Sequence, residues 1–172
     1  MKKVIYAILI MILSVPLSGY TVKGGVTYTV ETARKEAFAD VEYTLPKSII
    51  EANKVDPNYQ ENMKAKAKGK NRLKDRTITY FSDGGYAIIY NNNRYYEYYY
   101  SCNGKLESVG KRTGLIRPCK SYKYDVNGEL IIVALYVSVD EAYTFDVNGK
   151  LQAHWIKNKC YDLNGKIIGR RY

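Results

Sequence analysis

Few side chains in this chain could carry out catalysis. His154 is the single histidine of 172 residues, and a general base needs a partner that positions it. Strand alternation places His154 on one face with Gln152 and Ile156, and no sequence neighbour supplies that partner. The chain contains no nucleophile-elbow, zinc-protease, phosphate-loop or dinucleotide motif. The sequence therefore predicts no catalytic residues and no cofactor, and an enzyme of unrecognised type is the least favoured interpretation.

Metal sites receive no better support. A single histidine excludes a zinc site built from several histidines, and no Cys-x-x-Cys pair is present. Asp125, Asn127 and Glu129 occupy the first, third and fifth positions of a calcium-type loop. The sixth position lacks glycine and the twelfth is Tyr136, so we interpret the segment as a plain turn and predict no metal.

The three cysteines allow one disulfide. Cys102 and Cys119 form the most local pair and are the predicted bond, which would leave Cys160 as a thiol. The alternative is three small buried side chains with no bond between them.

A basic run lies before the region rich in tyrosine. Its seven cations recur every second residue: Lys64, Lys66, Lys68, Lys70, Arg72, Lys74 and Arg76. One interpretation is a patch for an anionic partner, such as a phosphate-rich cell-wall polymer or lipid headgroups. The other is a solvated helix end and hinge, where cations are also favoured by the helix dipole. No aromatic residues are interleaved for base stacking, so nucleic acid is not expected.

Tyrosine is the unusual component, with 19 residues against three phenylalanines, and eight of the tyrosines lie between positions 80 and 100. Alternation in the strand that holds most of them puts aromatic rings on both faces. Because tyrosine can bury its ring and keep its hydroxyl in water, such faces suit a thin, wet sheet. A platform for a sugar ring or a protein is the functional alternative. The candidate binding residues are Tyr95, Tyr96, Tyr98, Tyr99, Tyr100 and Trp155.

The elements that must position these side chains fall into two groups. Helices are expected first: one with an apolar stripe from Val30 to Val41, a short one over 46–52, and one from Asp56-Pro57 to Gly69. From residue 77, short strands rich in Tyr, Ile and Val alternate with Gly, Asn and Asp turns. This order predicts an α+β fold in which N-terminal helices precede an antiparallel meander of β-hairpin repeats. We also expect the Ala33/Phe38 helix to pack on the sheet.

Four segments share one frame of aromatic residue, usually Asp, any residue, Asn-Gly, charged residue, and Leu or Ile. They are Tyr100–Leu106, Tyr124–Leu130, Phe145–Leu151 and Tyr161–Ile167. Asn-Gly favours a two-residue type I′ reversal, because both residues tolerate positive φ. A spacing of roughly twenty residues is typical of one hairpin per repeat, stacked on its neighbours.

These segments resemble the MORN-type repeats of the bacterial YwqK-like group, and they are also similar to the YD repeats of large surface proteins. The resemblance covers about residues 95–172. It implies a meander of antiparallel hairpins used for binding or as a scaffold, and it implies no catalytic residues.

The first residues have the layout of a secretory signal peptide. Lys2 and Lys3 precede an uncharged, mostly apolar run from Val4 to Leu17, which is shorter than a membrane-spanning helix needs to be. We therefore expect a signal peptide over 1–19, a helical region with a basic tail over 20–76, and a Tyr-rich hairpin region over 77–172. The protein would be exported to the periplasm, the cell surface or the medium, and an uncleaved anchor is the alternative.

Composition is consistent with a folded chain, with 46% apolar and 26% charged residues. The predicted function is that of a secreted or envelope-located, non-enzymatic binding or scaffold protein that uses a Tyr-rich surface. Its expected partner is a protein or a cell-envelope polymer, and the signal segment is the expected membrane contact. The alternative is an immunity-type or accessory protein that binds another secreted protein.

Overall fold

A computed structural model describes residues 28–170 of the chain. Among these residues three short helices precede ten strands, which confirms the predicted order of helices before strands, and this part of the chain is mainly β. The helices are α1 (Val30–Phe38), α2 (Lys47–Ala52) and α3 (Tyr59–Ala67). The strands are β1 (Arg76–Tyr80), β2 (Tyr86–Tyr90), β3 (Asn93–Tyr100), β4 (Leu106–Arg112), β5 (Cys119–Tyr124), β6 (Leu130–Tyr136), β7 (Glu141–Asp146), β8 (Leu151–Ile156), β9 (Lys159–Tyr161) and β10 (Ile167–Arg170).

The strands form one antiparallel sheet in which the spatial order is the sequence order. Such a meander follows from short Gly- and Asn-containing turns, because a tight reversal places each strand beside the one before it. The described residues divide into two compact units, with 28–42, 112–122 and 131–170 in one and 43–111 and 123–130 in the other. Each unit combines helix and strand, and the proposed division at residue 76 stays a prediction. The predicted signal peptide over 1–19 lies outside the described residues.

In the first unit, α1 packs on β7. A capping box between Thr29 and Thr32 begins the helix, and Ala33 and Ala37 are fully buried. The Phe38 ring meets the Phe145 ring edge-on, with centroids 6.1 Å apart. The predicted packing of this helix on the sheet is confirmed.

The second unit contains α2 and α3, and the start of α3 differs from the prediction. The helix begins at Tyr59, with Asn58 and not Asp56 at its N-cap. The Asp56 carboxylate accepts hydrogen bonds from the Asn58 backbone N–H at 2.9 Å, the Asn62 amide at 2.8 Å and the Tyr86 hydroxyl at 2.6 Å. Because a buried carboxylate must be fully hydrogen-bonded, Asp56 ties α3 to the sheet.

Gly69 ends the third helix, as predicted. Its φ is +65°, and its N–H donates to the Lys66 carbonyl at 2.9 Å. The next N–H, of Lys70, donates to the Ala65 carbonyl at 2.9 Å. These two bonds form a Schellman motif, which glycine favours because it has no Cβ to strain the left-handed conformation.

The four Asn-Gly segments turn the chain by one shared pattern, but it is not the expected two-residue reversal. Only the glycines, at 104, 128, 149 and 165, take positive φ, between 72° and 81°. In the second turn, the Gly128 N–H donates to the Asp125 carbonyl at 3.1 Å and the Asp125 N–H to the Glu129 carbonyl at 2.9 Å. The result is a three-residue loop that ends in a left-handed glycine.

Candidate functional site

The strand richest in tyrosine, β3, is buried at its C-terminal half. Tyr98 lies between Ile88 and Val109, and Tyr100 lies beside Tyr86 with the two rings stacked at 5.5 Å. Helix α3 lies on this face, and Asp56, just before the helix, accepts a hydrogen bond from the Tyr86 hydroxyl. Burial raises the pKa of both the Tyr98 and Tyr100 hydroxyls above the ordinary value for tyrosine.

At this C-terminal half of β3, the opposite face is also closed to solvent. The Lys123 ammonium lies 3.9 Å from the centre of the Tyr99 ring, and Phe81 stacks on the same ring at 6.3 Å. Glu97 and Lys123 are each 4% exposed. Burial lowers the pKa of Lys123 to about 8, and the charges of Glu97 and Glu107 oppose that shift.

The six aromatic candidates therefore do not form one exposed platform. Tyr95 is 47% exposed and Tyr96 is half-buried, whereas Tyr98, Tyr99, Tyr100 and Trp155 are buried. Trp155 lies between Ala142 and Cys160 in its own unit. Alternation predicts which side chains share a face, but it does not predict what covers that face. Of the six candidates, Tyr95 and Tyr96 remain accessible to a ligand.

The basic run is exposed at six of its seven positions. We call this set the basic segment: Lys64, Lys66, Lys68, Lys70, Arg72 and Lys74. Two of its lysines lie in the last turn of α3, Lys68 follows as the C-cap, and the other three lie in the connection to β1. Among residues 28–170, none of the six forms an ion pair. The Lys66 ammonium lies 5.5 Å from the Tyr80 ring centre.

Arg76 is the exception, and its place in the predicted anionic-partner patch is a correction. The residue is 2% exposed, and its guanidinium bridges Asp75 at 2.7 Å and Glu61. Its Nε donates to the Asn62 side-chain oxygen at 2.8 Å, which connects it to the Asp56 network. With its donors engaged by two carboxylates, Arg76 supports the fold and is not available to an external anion.

His154 has an acidic partner that the sequence analysis missed. Its Nε2 lies 3.2 Å from the Glu141 carboxylate, which also accepts a hydrogen bond from the Tyr143 hydroxyl at 2.7 Å. The Tyr143 and His154 rings stack at 4.0 Å. The hairpin frame could have predicted this contact, because a reversal at Asn148-Gly149 pairs β7 with β8 and brings Glu141 close to His154. In the described part of the chain, Glu141 is the one hydrogen-bond partner of His154, so no nucleophile is aligned with it.

The predicted Cys102–Cys119 disulfide is not formed in the structure, where both residues carry thiols. Cys102 is exposed, whereas Cys119 and Cys160 are buried. Burial raises the pKa of the Cys119 thiol, which keeps it protonated and unreactive. Within residues 28–170, no three potential metal ligands gather at one place.

Fold and surface together define a mainly β meander protein with a short helical N-terminal region and an exposed basic segment. Comparison of the chain with protein-family models, curated proteins and solved structures found no match. No helix among the described residues is long and apolar enough to cross a membrane.

Proposed function

We propose that the chain is an exported, non-enzymatic binding protein that attaches to an anionic polymer of the cell envelope through its basic segment. The observation that carries this proposal is the set of six exposed cations, none with an ion pair among the described residues. Closely spaced cations without internal ion pairs attract polyanions, because each contact releases counterions from the polymer. Export is proposed from the layout of the first 19 residues.

The helix dipole accounts for part of this charge. Lys64, Lys66 and Lys68 lie at the C-terminal end of α3, where cations are favoured by the exposed carbonyls. The other three cations lie beyond the helix, where the effect of its dipole falls off. A solvated helix end therefore explains the first half of the segment and leaves the second half for a ligand.

The basic segment suits a phosphate-rich polymer better than it suits nucleic acid. The basic segment contains no aromatic residue on which a base could stack, and Tyr80 beneath Lys66 is only partly exposed. Recognition would then depend on charge spacing, which a repeating phosphate polymer supplies without bases.

The test measures binding of the exported protein to inorganic polyphosphate by titration calorimetry at low and moderate salt. Changing Lys70, Arg72 and Lys74 together to Gln is expected to weaken binding on the order of tenfold at low salt, with a shallower salt dependence. The matched control changes Lys35, Lys47 and Lys150, which are equally exposed, to Gln. An equal loss in both triple variants would show that only net charge matters and would overturn the proposal.

A second candidate function is an accessory or immunity-type protein that binds another secreted protein, as a hairpin-repeat protein of the kind it resembles would. One observation favours it: the glycine of the last Asn-Gly turn is exposed, whereas the glycines of the three turns before it are buried.

A further inference from the structure

Three of the four Asn-Gly turns are covered by an N-terminal segment of their own unit. A Cβ built on Gly104 would lie 2.8 Å from the Tyr59 ring, and one on Gly128 would lie 2.7 Å from the Leu45 carbonyl oxygen. At Gly149, the nearest atom would be Cδ of Arg34, at 3.1 Å. All three glycines are buried.

Two of these turns hold their segment by backbone pairing of the same kind. At the second turn, the Leu130 N–H donates to the Tyr43 carbonyl at 3.0 Å, and the Gly128 carbonyl accepts from Leu45 N–H at 2.8 Å. At the first turn, the equivalent bonds join Leu106 to Lys54 at 3.0 Å and Gly104 to Asp56 at 2.9 Å. In both, the glycine carbonyl and the N–H two residues later bind an extended segment.

The fourth turn has the same internal geometry and no such cover. Its Asp162 carboxylate accepts from the Asn164 and Lys166 N–H groups at 2.9 Å, as Asp125 and Asp146 do in theirs. Gly165 is exposed, and a Cβ there would meet nothing within 4 Å. Within residues 28–170, no segment outside the β9–β10 hairpin bonds to the Gly165 carbonyl or the Ile167 N–H.

The surface around this turn is apolar and basic. Leu163 is 58% exposed and Ile167 is 38% exposed. The same hairpin carries Lys159, Lys166 and Arg170, and its one carboxylate, that of Asp162, is engaged in the turn. The complementary ligand is an extended chain that carries apolar and acidic side chains. The chain's own residues 20–27 contain Lys23 and no acidic residue, so their charge does not suit this surface.

We propose that the fourth Asn-Gly turn and β10 bind an extended acidic segment of a protein partner. The partner's backbone would pair with the Gly165 carbonyl and the Ile167 N–H, as residues 43–45 pair with the second turn. Its apolar side chains would cover Leu163 and Ile167, and its carboxylates would face Lys166 and Arg170. This surface is separate in sequence from the basic segment, so the two proposals are tested by different variants.

Hydrogen exchange on the exported protein gives the first test. The Leu106 and Leu130 amides are expected to be protected in the free protein, and the Ile167 amide to exchange rapidly. Adding a short peptide of alternating Glu and Val is expected to protect Ile167 while leaving the other two amides unchanged. Protection of Ile167 before the peptide is added would mean that the chain itself or a second copy occupies the site, and would overturn the proposal.

Two variants then test the pairing and the charge. Ile167→Pro removes the backbone N–H and is expected to weaken peptide binding about tenfold. Ile167→Val keeps the N–H, so its affinity for the peptide is expected to be unchanged. Lys166→Glu leaves the backbone unchanged. It is expected to weaken binding of the peptide of alternating Glu and Val, and to strengthen binding of a peptide with Lys in place of Glu. Equal binding by Ile167→Pro, or equal binding of Glu and Gln peptides, would contradict the proposed mode.

Discussion

At the scale of single residues, the glycine of the hairpin frame shapes all four turns, and an Asp shapes the last three, with Ser101 in its place in the first. One carboxylate oxygen of Asp146 accepts from the Asn148 and Lys150 N–H groups, each at 3.0 Å, and so holds the turn backbone at two points. The glycine supplies the left-handed conformation. The positions of the turns and the roles of their residues were predictable from the sequence. The loop length was not, because a two-residue loop needs a positive φ at asparagine, and the residue type permits that conformation without requiring it.

The glycines provide a matched prediction. Gly128→Ala is expected to cost clearly more than the ~1–2 kcal/mol of left-handed strain, since its Cβ would also meet the Leu45 carbonyl oxygen at 2.7 Å. Gly165→Ala has the same φ penalty and open space around it, so strain alone applies. Urea unfolding of both variants measures the difference. Equal losses of stability would indicate that residues 43–45 do not lie on the second turn.

At the scale of elements, the stripe of small residues on α1 allows the helix to approach β7 closely. Ala33 and Ala37 have no exposed surface, and Phe38 reaches Phe145. The helix ends at Phe38, three residues before the predicted end, because Ala39 is extended and Asp40 takes a φ of 54°. The apolar stripe predicts which face is buried more reliably than where the helix ends.

Overpacking this helix tests the contact. Ala37→Leu is expected to destabilise the protein by about 1–3 kcal/mol, because the added carbons have no space between helix and sheet. Lys35→Leu, on the exposed side of the same helix, is expected to change stability by less than about 0.5 kcal/mol. Thermal melts followed by circular dichroism compare the two. A neutral Ala37→Leu variant would place the helix away from β7.

At the scale of the whole molecule, charge is the dominant property. The net charge is +10, and it falls to about +8 if Lys2 and Lys3 leave with the signal peptide. Most of the described lysines and arginines are exposed, whereas Lys123 is buried beside Glu97 and against the Tyr99 ring. An ammonium in that position makes the stability of the fold depend on pH.

The sign follows from the two pKa values of Lys123, about 8 in the folded state and roughly 10.4 when unfolded. Between them the unfolded state binds more protons, so stability is expected to rise as the pH rises from about 8 to 10. Above about pH 10 the trend reverses, because burial raises the pKa of Tyr86 and Tyr100 and the unfolded chain ionises first.

Chemical denaturation from pH 7 to 11 measures this profile. Lys123→Met is expected to remove the rise between pH 8 and 10 and to retain the fall above it, since the tyrosines are unchanged. A general loss of positive charge would act equally on both proteins. A rise of the same size in the Lys123→Met variant would therefore contradict the role given to Lys123.

The sequence by itself determined the order of helices and strands, the places of the turns and which face of α1 is buried, because hydrophobic periodicity and turn chemistry are local. Only the tertiary structure decided which tyrosines are buried, that Arg76 is held by Glu61 and Asp75, and that His154 meets Glu141. These outcomes depend on what covers each face and what lies across each strand pair. Burial and pairing between distant residues are set by packing, which local patterns do not specify.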